Sequence, residues 1–186
     1  MNLYSDHIYL RPIVPEDGES LLHLRVRNRE FLQPYEPLQA DRNFTREGIG
    51  EQIAMACRAW DEGNGYAFGI FRKEDDQLIG RVNLSNVSRG AWQSCTIGYY
   101  LDQTENGKGY MTEAVRLAVD FAFKQAGLHR VQAAIMPHNM GSIRVVEKVG
   151  FWYEGLARYY LQINGKWEDH RIYSITQEGW PSEQRN

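Results

Sequence analysis

Hydrophobic positions along this chain recur with two periods, and the switches between them mark out the elements. Ile8 to Ile13 (IYLRPI) alternates as a strand does, and Pro12, lacking an amide proton, suits an edge or a strand end. Pro15, Glu16 and Asp17 then open a helix with apolar positions at Leu21, Leu22, Leu24 and Val26, running out near Phe31 and Leu32. The segment FLQPYEPLQADRNF holds two prolines and three aromatics and predicts an irregular connection. Thr45 predicts the N-cap of a second helix reaching about Trp60, with Gly63 just past its end.

A meander follows. Tyr66 to Arg72 reads as a strand, Leu78 to Val87 as a second with Ile79, Val82 and Leu84 as its apolar positions, and Ser94 to Leu101 as a third. Their short connections make them antiparallel neighbours. Gly98 inside a strand pattern predicts a bulge or a close backbone approach by a ligand. From Gly109 a helical pattern carries apolar residues at 111, 115, 118 and 122 and again at 114, 117 and 121, an arc wide enough for deep burial against a sheet; Gly127 ends it. Arg130 to Met136 is the next strand, Pro137 to Met140 a loop, and Ser142 to Val149 a short helix before Gly150. Glu154–Ile163 and Lys166–Thr176 flank Asn164-Gly165, the dipeptide most favoured in a two-residue hairpin. The strands at 94–101 and 130–136 are joined through a helix and should be parallel. The pattern predicts an α+β fold over residues 1–186 as a single domain: a central mixed, mostly antiparallel sheet of about seven strands with helices on both faces.

Bulk composition narrows the function classes. The 186 residues, 42% hydrophobic and 24% charged, suit a globular protein with a substantial core. A net charge of −3 does not point to a nucleic-acid partner. No apolar run approaches the roughly 20 residues of a bilayer span, and MNLYSDHIYLRP has no secretory pattern. Cys57 and Cys95 form no C-x-x-C motif and read as two buried, reduced thiols, so a cytoplasmic setting is expected.

Chemistry concentrates in Asn106 to Phe123, NGKGYMTEAVRLAVDFAF. Gly107 and Gly109 bracket a lysine between a strand and a helix whose first turn holds Thr112 and Glu113. Such a turn presents several backbone N–H groups and the positive end of a helix to one point, where a phosphate could be held. An ordinary loop whose glycines only make the turn is the alternative. G-x-x-x-x-G-K-[ST] is absent, Thr112 stands at the third glycine position of a dinucleotide fingerprint, and antiparallel strands precede the turn. His23, His129, His138 and His170 lack metal-ligand spacing, and G-x-S-x-G does not occur. What remains is a phosphate-bearing ligand held by backbone amides, with no metal.

NGKGYMTEA followed by HRVQAAIMPHNMGSIRVVEKVGF resembles the acetyl-CoA signature regions of the GNAT superfamily of N-acetyltransferases. NREFLQPYEPL, NLSNVSRG, MPHN and INGKWEDH extend the resemblance, over nearly the whole chain, to its ribosomal-protein-alanine N-acetyltransferase group. The resemblance implies a GNAT-like fold with acetyl-CoA as co-substrate and no metal. It places the pyrophosphate on main-chain N–H groups of Asn106, Gly107, Lys108, Gly109, Tyr110 and Met111, with Thr112 in the first helical turn. Asn106 and Met111 depart from the residues usual at those positions, which backbone contacts tolerate. Lys108 either adds a point charge or is solvated. Tyr99, Tyr100 and Leu101 would pair with the pantetheine arm, and their amides, Tyr100 included, could polarise the thioester carbonyl. Asn139 would contact the cofactor, and the Ser142 hydroxyl would lie near the sulfur, cap a helix, or do both.

The family's usual general-base positions carry Thr96 and Leu161 here, so neither role transfers. Glu36, in the aromatic loop, is the candidate base or else a surface residue; Tyr159, Tyr160 and His138 are further candidates. An α-amino group has a pKa of roughly 7.7–8.0 against about 10.4 for lysine, so a missing strong base favours an N-terminal acceptor. The implied function is acetyl transfer by direct attack to a protein N-terminus, of ribosomal-protein alanine or serine type, with a homodimer as one option for assembly. A small-molecule amine acetyltransferase and a non-catalytic acyl-CoA-binding module are the alternatives.

Overall fold

The computed structural model describes residues 1–181. Its strands are β1 (Leu3–Tyr4), β2 (Ile8–Pro12), β3 (Tyr66–Arg72), β4 (Leu78–Ser88), β5 (Ser94–Leu101), β6 (Arg130–Ile135), β7 (Trp152–Ile163) and β8 (Lys166–Thr176). The helices are α1 (Gly18–Arg27), α2 (Arg29–Leu32), α3 (Arg46–Asp61), α4 (Tyr110–Lys124) and α5 (Met140–Val149). One eight-stranded sheet runs β1-β2-β3-β4-β5-β6-β8-β7. Each neighbouring pair is antiparallel except β5 and β6, which are parallel as their helical connection requires. The strand missing from the sequence reading is β1: two residues are too few to show a period.

One face of the sheet carries α4, whose Ala114, Val115, Ala118, Val119 and Ala122 have no exposed surface. Burying a valine so completely stabilises by about 1.5–3 kcal/mol. Small residues on this helix let it lie close to Phe68, Ile70, Val82 and Ile97 of the sheet. Trp60, at the end of α3, meets Phe68 edge-on at 5.0 Å, and Phe68 meets Phe121 of α4 at 5.0 Å. The opposite face holds a second core of Leu21, Leu24, Ile49 and Ile53, from α1 and α3, against Ala67, Phe71 and Leu78. As the spacing predicts, Thr45 caps α3, its hydroxyl accepting from the Gly48 amide at 3.1 Å.

Three departures from the sequence reading have local causes. The expected continuous first helix breaks at Asn28, which is buried and leaves helical geometry at φ −105°, ψ 8°. Its side-chain amide donates to Leu24 O at 2.9 Å, and its side-chain oxygen accepts from the Gln103 amide at 2.9 Å. That second bond, with Arg27 on Asp102 at 2.5 Å, ties the helix break to the exit of β5 and brings the aromatic loop there. Gly98 makes no bulge: it stays in register opposite Asn83, and the irregularity lies between Ser85 and Ser88 on β4. Cys57 is half-buried rather than buried, its thiol 3.7 Å from the Ile13 carbonyl oxygen.

Arg130 of β6, Ser174 of β8 and Glu154 of β7 cross-link the last three strands. Both Arg130 guanidinium nitrogens donate to Glu154 at 2.7 Å, and the Ser174 hydroxyl donates to it at 2.7 Å. Arg130 first, then Ser174, hold the Glu154 carboxyl at about 2. A depressed carboxyl stabilises the fold above its unfolded value of roughly 4.3, and the contribution fades as pH falls toward 2. With Glu154 more than a third exposed, solvent screening keeps the worth near 1 kcal/mol. Glu154→Gln should therefore be less stable than the parent by about 1 kcal/mol at neutral pH, with the gap closing near pH 2, as read by urea unfolding. A gap that does not narrow on acidification would mean the pair does not titrate this way.

Candidate active site

β5 and β6 pair only from Ser94–Arg130 to Thr96–Gln132, and beyond that point no ladder joins them. From Ile97 to Leu101 the strand keeps its β4 partner on one side while the other edge opens into a cleft. The cleft is about 550 Å³. Tyr99, Tyr100 and Leu101 form its floor, and Asn106, Gly107, Gly109, Tyr110, Met111 and Thr112 close one end. Asn139, Ser142, Arg144, Val145 and Lys148 of the α5 region make one wall; Phe31, Leu32 and Tyr35 make the other, with His138 beside them.

The glycine turn has a conformational reason. Gly107 and Gly109 have φ of +81° and +87°, in the left-handed region, and a Cβ on either would meet no protein atom within 4 Å. Backbone conformation, rather than crowding by the protein, requires glycine there. Gly109 is the N-cap of α4 and provides no side-chain acceptor. The first-turn amides of α4 are left to another acceptor, with the helix dipole adding positive potential.

α5 begins differently. Asn139 is its N-cap, its side-chain oxygen accepting from the Ser142 amide at 3.3 Å. Capping therefore falls to Asn139, and the Ser142 hydroxyl makes no hydrogen bond among the described residues. The Tyr99 hydroxyl donates to the Ser142 carbonyl oxygen at 3.2 Å, fixing β5 to the start of α5 across the cleft. Burial raises the pKa of Tyr99, and burial raises that of Tyr100 against the opposing pull of Arg81 and Arg25. Both phenols stay protonated at neutral pH. The Tyr100 hydroxyl is buried without a hydrogen-bond partner among the described residues, and Tyr100 lines the cleft. Cys95 lies in the core with its thiol pushed up to about 12 by burial, which leaves it unsuited to act as a nucleophile.

Two expected site residues stand apart from the cleft. Lys108 turns to Glu105, Nζ to Oε2 at 2.9 Å. Glu36 is ion-paired to Arg25 at 2.7 Å and lines a small neighbouring depression with Arg29 and Phe44. That pairing explains its orientation: Arg25 is buried, stacked over Tyr100 at 5.0 Å, and needs a counter-charge. Tyr159 and Tyr160 are exposed on β7 and do not line the cleft, whereas His138 does, 6.3 Å from the Tyr35 ring. Sequence reasoning missed Glu105, Arg144, Val145 and Lys148. The i, i+4 spacing of Arg144 and Lys148, which puts two cations on one face of α5, is the available signal.

The sequence model of the acetyltransferase (GNAT) domain matches residues 7–152. The Bacillus subtilis (strain 168) protein described as "Probable N-acetyltransferase YjcK" is 48% identical over 168 residues, covering 90% of this chain and 93% of that protein. The structure of a ribosomal-protein-S5-alanine acetyltransferase from Vibrio fischeri superposes with a TM-score of 0.91 at 34% identity, over 98% of this chain and all of that one. Mycobacterium smegmatis RimJ, solved in complex with CoA-disulfide, superposes with a TM-score of 0.89 at 29% identity, over 94% of this chain and 84% of that one.

Gly109→Asp tests the turn directly. It forces a side chain into left-handed geometry, costing roughly 1–2 kcal/mol, and places a carboxylate where an anion would lie. Acetyl-CoA affinity should fall at least about tenfold in calorimetry, equivalent to about 1.4 kcal/mol. Unchanged affinity would show that the turn does not hold the phosphates.

Proposed function

The chain belongs to the GNAT acetyltransferase family and is an N-acetyltransferase related to the ribosomal-protein acetyltransferases, and on that premise we propose that it acetylates a protein N-terminal amine, of ribosomal-protein alanine or serine type, from acetyl-CoA. The observation that carries this reading is a single cleft in which the uncapped start of α4, the unpaired edge of β5 and the free Ser142 hydroxyl face one space. The first would take the pyrophosphate, the second the pantetheine arm and thioester carbonyl, and the third the sulfur. The whole chain would act as one acetyltransferase domain, in the cytoplasm.

The acceptor is argued from the charge of the walls. A polycationic small molecule calls for several free carboxylates. Among the described residues lining the cleft, the one carboxylate is Glu105, which is buried and neutralised by Arg72 at 2.8 Å and Lys108 at 2.9 Å. The acceptor side instead offers Phe31, Tyr35 and His138, an aromatic surface suited to an uncharged amine carried on a peptide. An α-amino group with a pKa of roughly 7.7–8.0 supplies that neutral form without a strong base.

The reaction is a direct transfer. The neutral amine forms a bond to the acetyl carbon while the carbon–sulfur bond breaks. Main-chain N–H groups in Tyr99–Leu101 would stabilise charge on the carbonyl oxygen. The amine's surplus proton passes to water or to the His138 imidazole at the cleft wall. The Ser142 hydroxyl would hydrogen-bond the leaving thiolate, which takes its proton from water, and no acyl group rests on either cysteine.

Two measurements test this. In a thioester-consumption assay, Ala- or Ser-starting peptides should turn over and N-terminally blocked peptides with an internal lysine should not; no turnover with any amine would sink the enzymatic reading. Ser142→Ala should lower turnover by roughly a hundredfold with cofactor affinity unchanged, the scale of one lost hydrogen bond to developing charge. An unaltered rate would reduce Ser142 to a structural residue.

A further inference from the structure

Most arginines near the sheet already have carboxylate partners: Arg11 with Asp17, Arg25 with Glu36, Arg27 with Asp102, Arg72 with Asp75 and Glu105. Among the described residues, the two cations that line the cleft, Arg144 and Lys148, do not. Arg144 and Lys148 lie one turn apart on α5 and line the cleft together with Gly107 and Gly109. Among the described residues neither side chain enters an ion pair or a hydrogen bond. Arg116 of α4 approaches Lys148, donating to its carbonyl oxygen at 2.8 Å, and among the described residues it too has no carboxylate partner.

The nearby carboxylates do not cancel this charge. Glu105 is held by Arg72 and Lys108, and Glu113 accepts from the Ser5 hydroxyl and the His7 amide and faces the His7 ring. Glu147, next to Lys148, has no ion pair among the described residues and, unlike Arg144 and Lys148, does not line the cleft. Nor is the pyrophosphate an obvious claimant, since the turn's own lysine faces Glu105 and the α4 amides already supply donors. A second anion fits better. A phosphomonoester is close to dianionic at neutral pH and offers three acceptor oxygens, suited to an arginine fork and an ammonium side by side.

We propose that Arg144 and Lys148, with Arg116 behind them, form a second anion site for a phosphomonoester, the 3′-phosphate of coenzyme A, so that this protein discriminates the cofactor from its dephospho form. The inference rests on the acetyl-CoA reading above and adds to it a site on α5 separate from the glycine turn. Because these side chains are exposed, the discrimination should be salt-sensitive: the Debye length shrinks from about 30 Å at 0.01 M to about 3 Å at 1 M.

Calorimetry on the full chain with CoA and dephospho-CoA provides the test. The parent should bind CoA about tenfold more tightly than dephospho-CoA, a preference that shrinks at high salt. The Arg144→Gln/Lys148→Gln double variant should lose that preference while binding dephospho-CoA as the parent does. An independent arm needs no variant: adenosine 3′,5′-bisphosphate should displace acetyl-CoA better than 5′-AMP. Equal affinity of the parent for both cofactors would overturn the site, as would a variant that weakens both equally. Failure of the parent to bind either cofactor would instead bring down the acetyl-CoA reading, and this site with it.

Discussion

The parting of β5 from β6 is the constraint on which the rest of this structure depends. A parallel pair joined through a helix would ordinarily run its ladder along the strands, and here it stops after three residue pairs. The backbone groups that lose partners would be costly if buried and are useful if a ligand can reach them. The cleft gives that access. α4 is deeply buried against one face of the sheet, and the Tyr99 hydroxyl on the Ser142 carbonyl ties the two sides at the start of α5.

The two ends of the cleft are built on different chemistry. At the glycine-turn end the protein offers donors and positive charge: α4 amides without a side-chain cap, then Arg144 and Lys148. At the other end it offers aromatic rings, held there because Asn28 interrupts the first helix and bonds to Gln103. Carboxylates that could disturb either end are each matched to a cation, Glu105 to Arg72 and Lys108, Glu36 to Arg25. An anionic cofactor is the ligand that the glycine-turn end favours.

Glu36 shows how a sound local argument can miss. Its loop does border the cleft, through Phe31, Leu32 and Tyr35, yet its carboxylate is drawn away by a buried arginine eleven residues earlier. The pull on Glu36 comes from Arg25, whose burial against Tyr100 and Phe44 is a tertiary event with no periodic trace in the sequence. Ser142 went the other way. Its sequence position suits a helix cap as well as a site role, and in the structure the capping bond belongs to Asn139, leaving the Ser142 hydroxyl without a partner among the described residues.

What the sequence determined by itself were the features that repeat or that a backbone demands. Period-two and period-3.6 patterns placed β3, β5 and α4 almost to the residue, the glycines at 107 and 109 marked left-handed backbone, and Asn164-Gly165 set the last hairpin. These are local preferences, summed over neighbouring residues, and so they are legible in order along the chain. Tertiary structure decided where β5 and β6 separate, which way Glu36 and Lys108 turn, and which cations of α5 remain unpaired beside the glycine turn. Each depends on a partner distant in sequence or on the geometry between elements, because charge pairing and burial are properties of residues brought together in space.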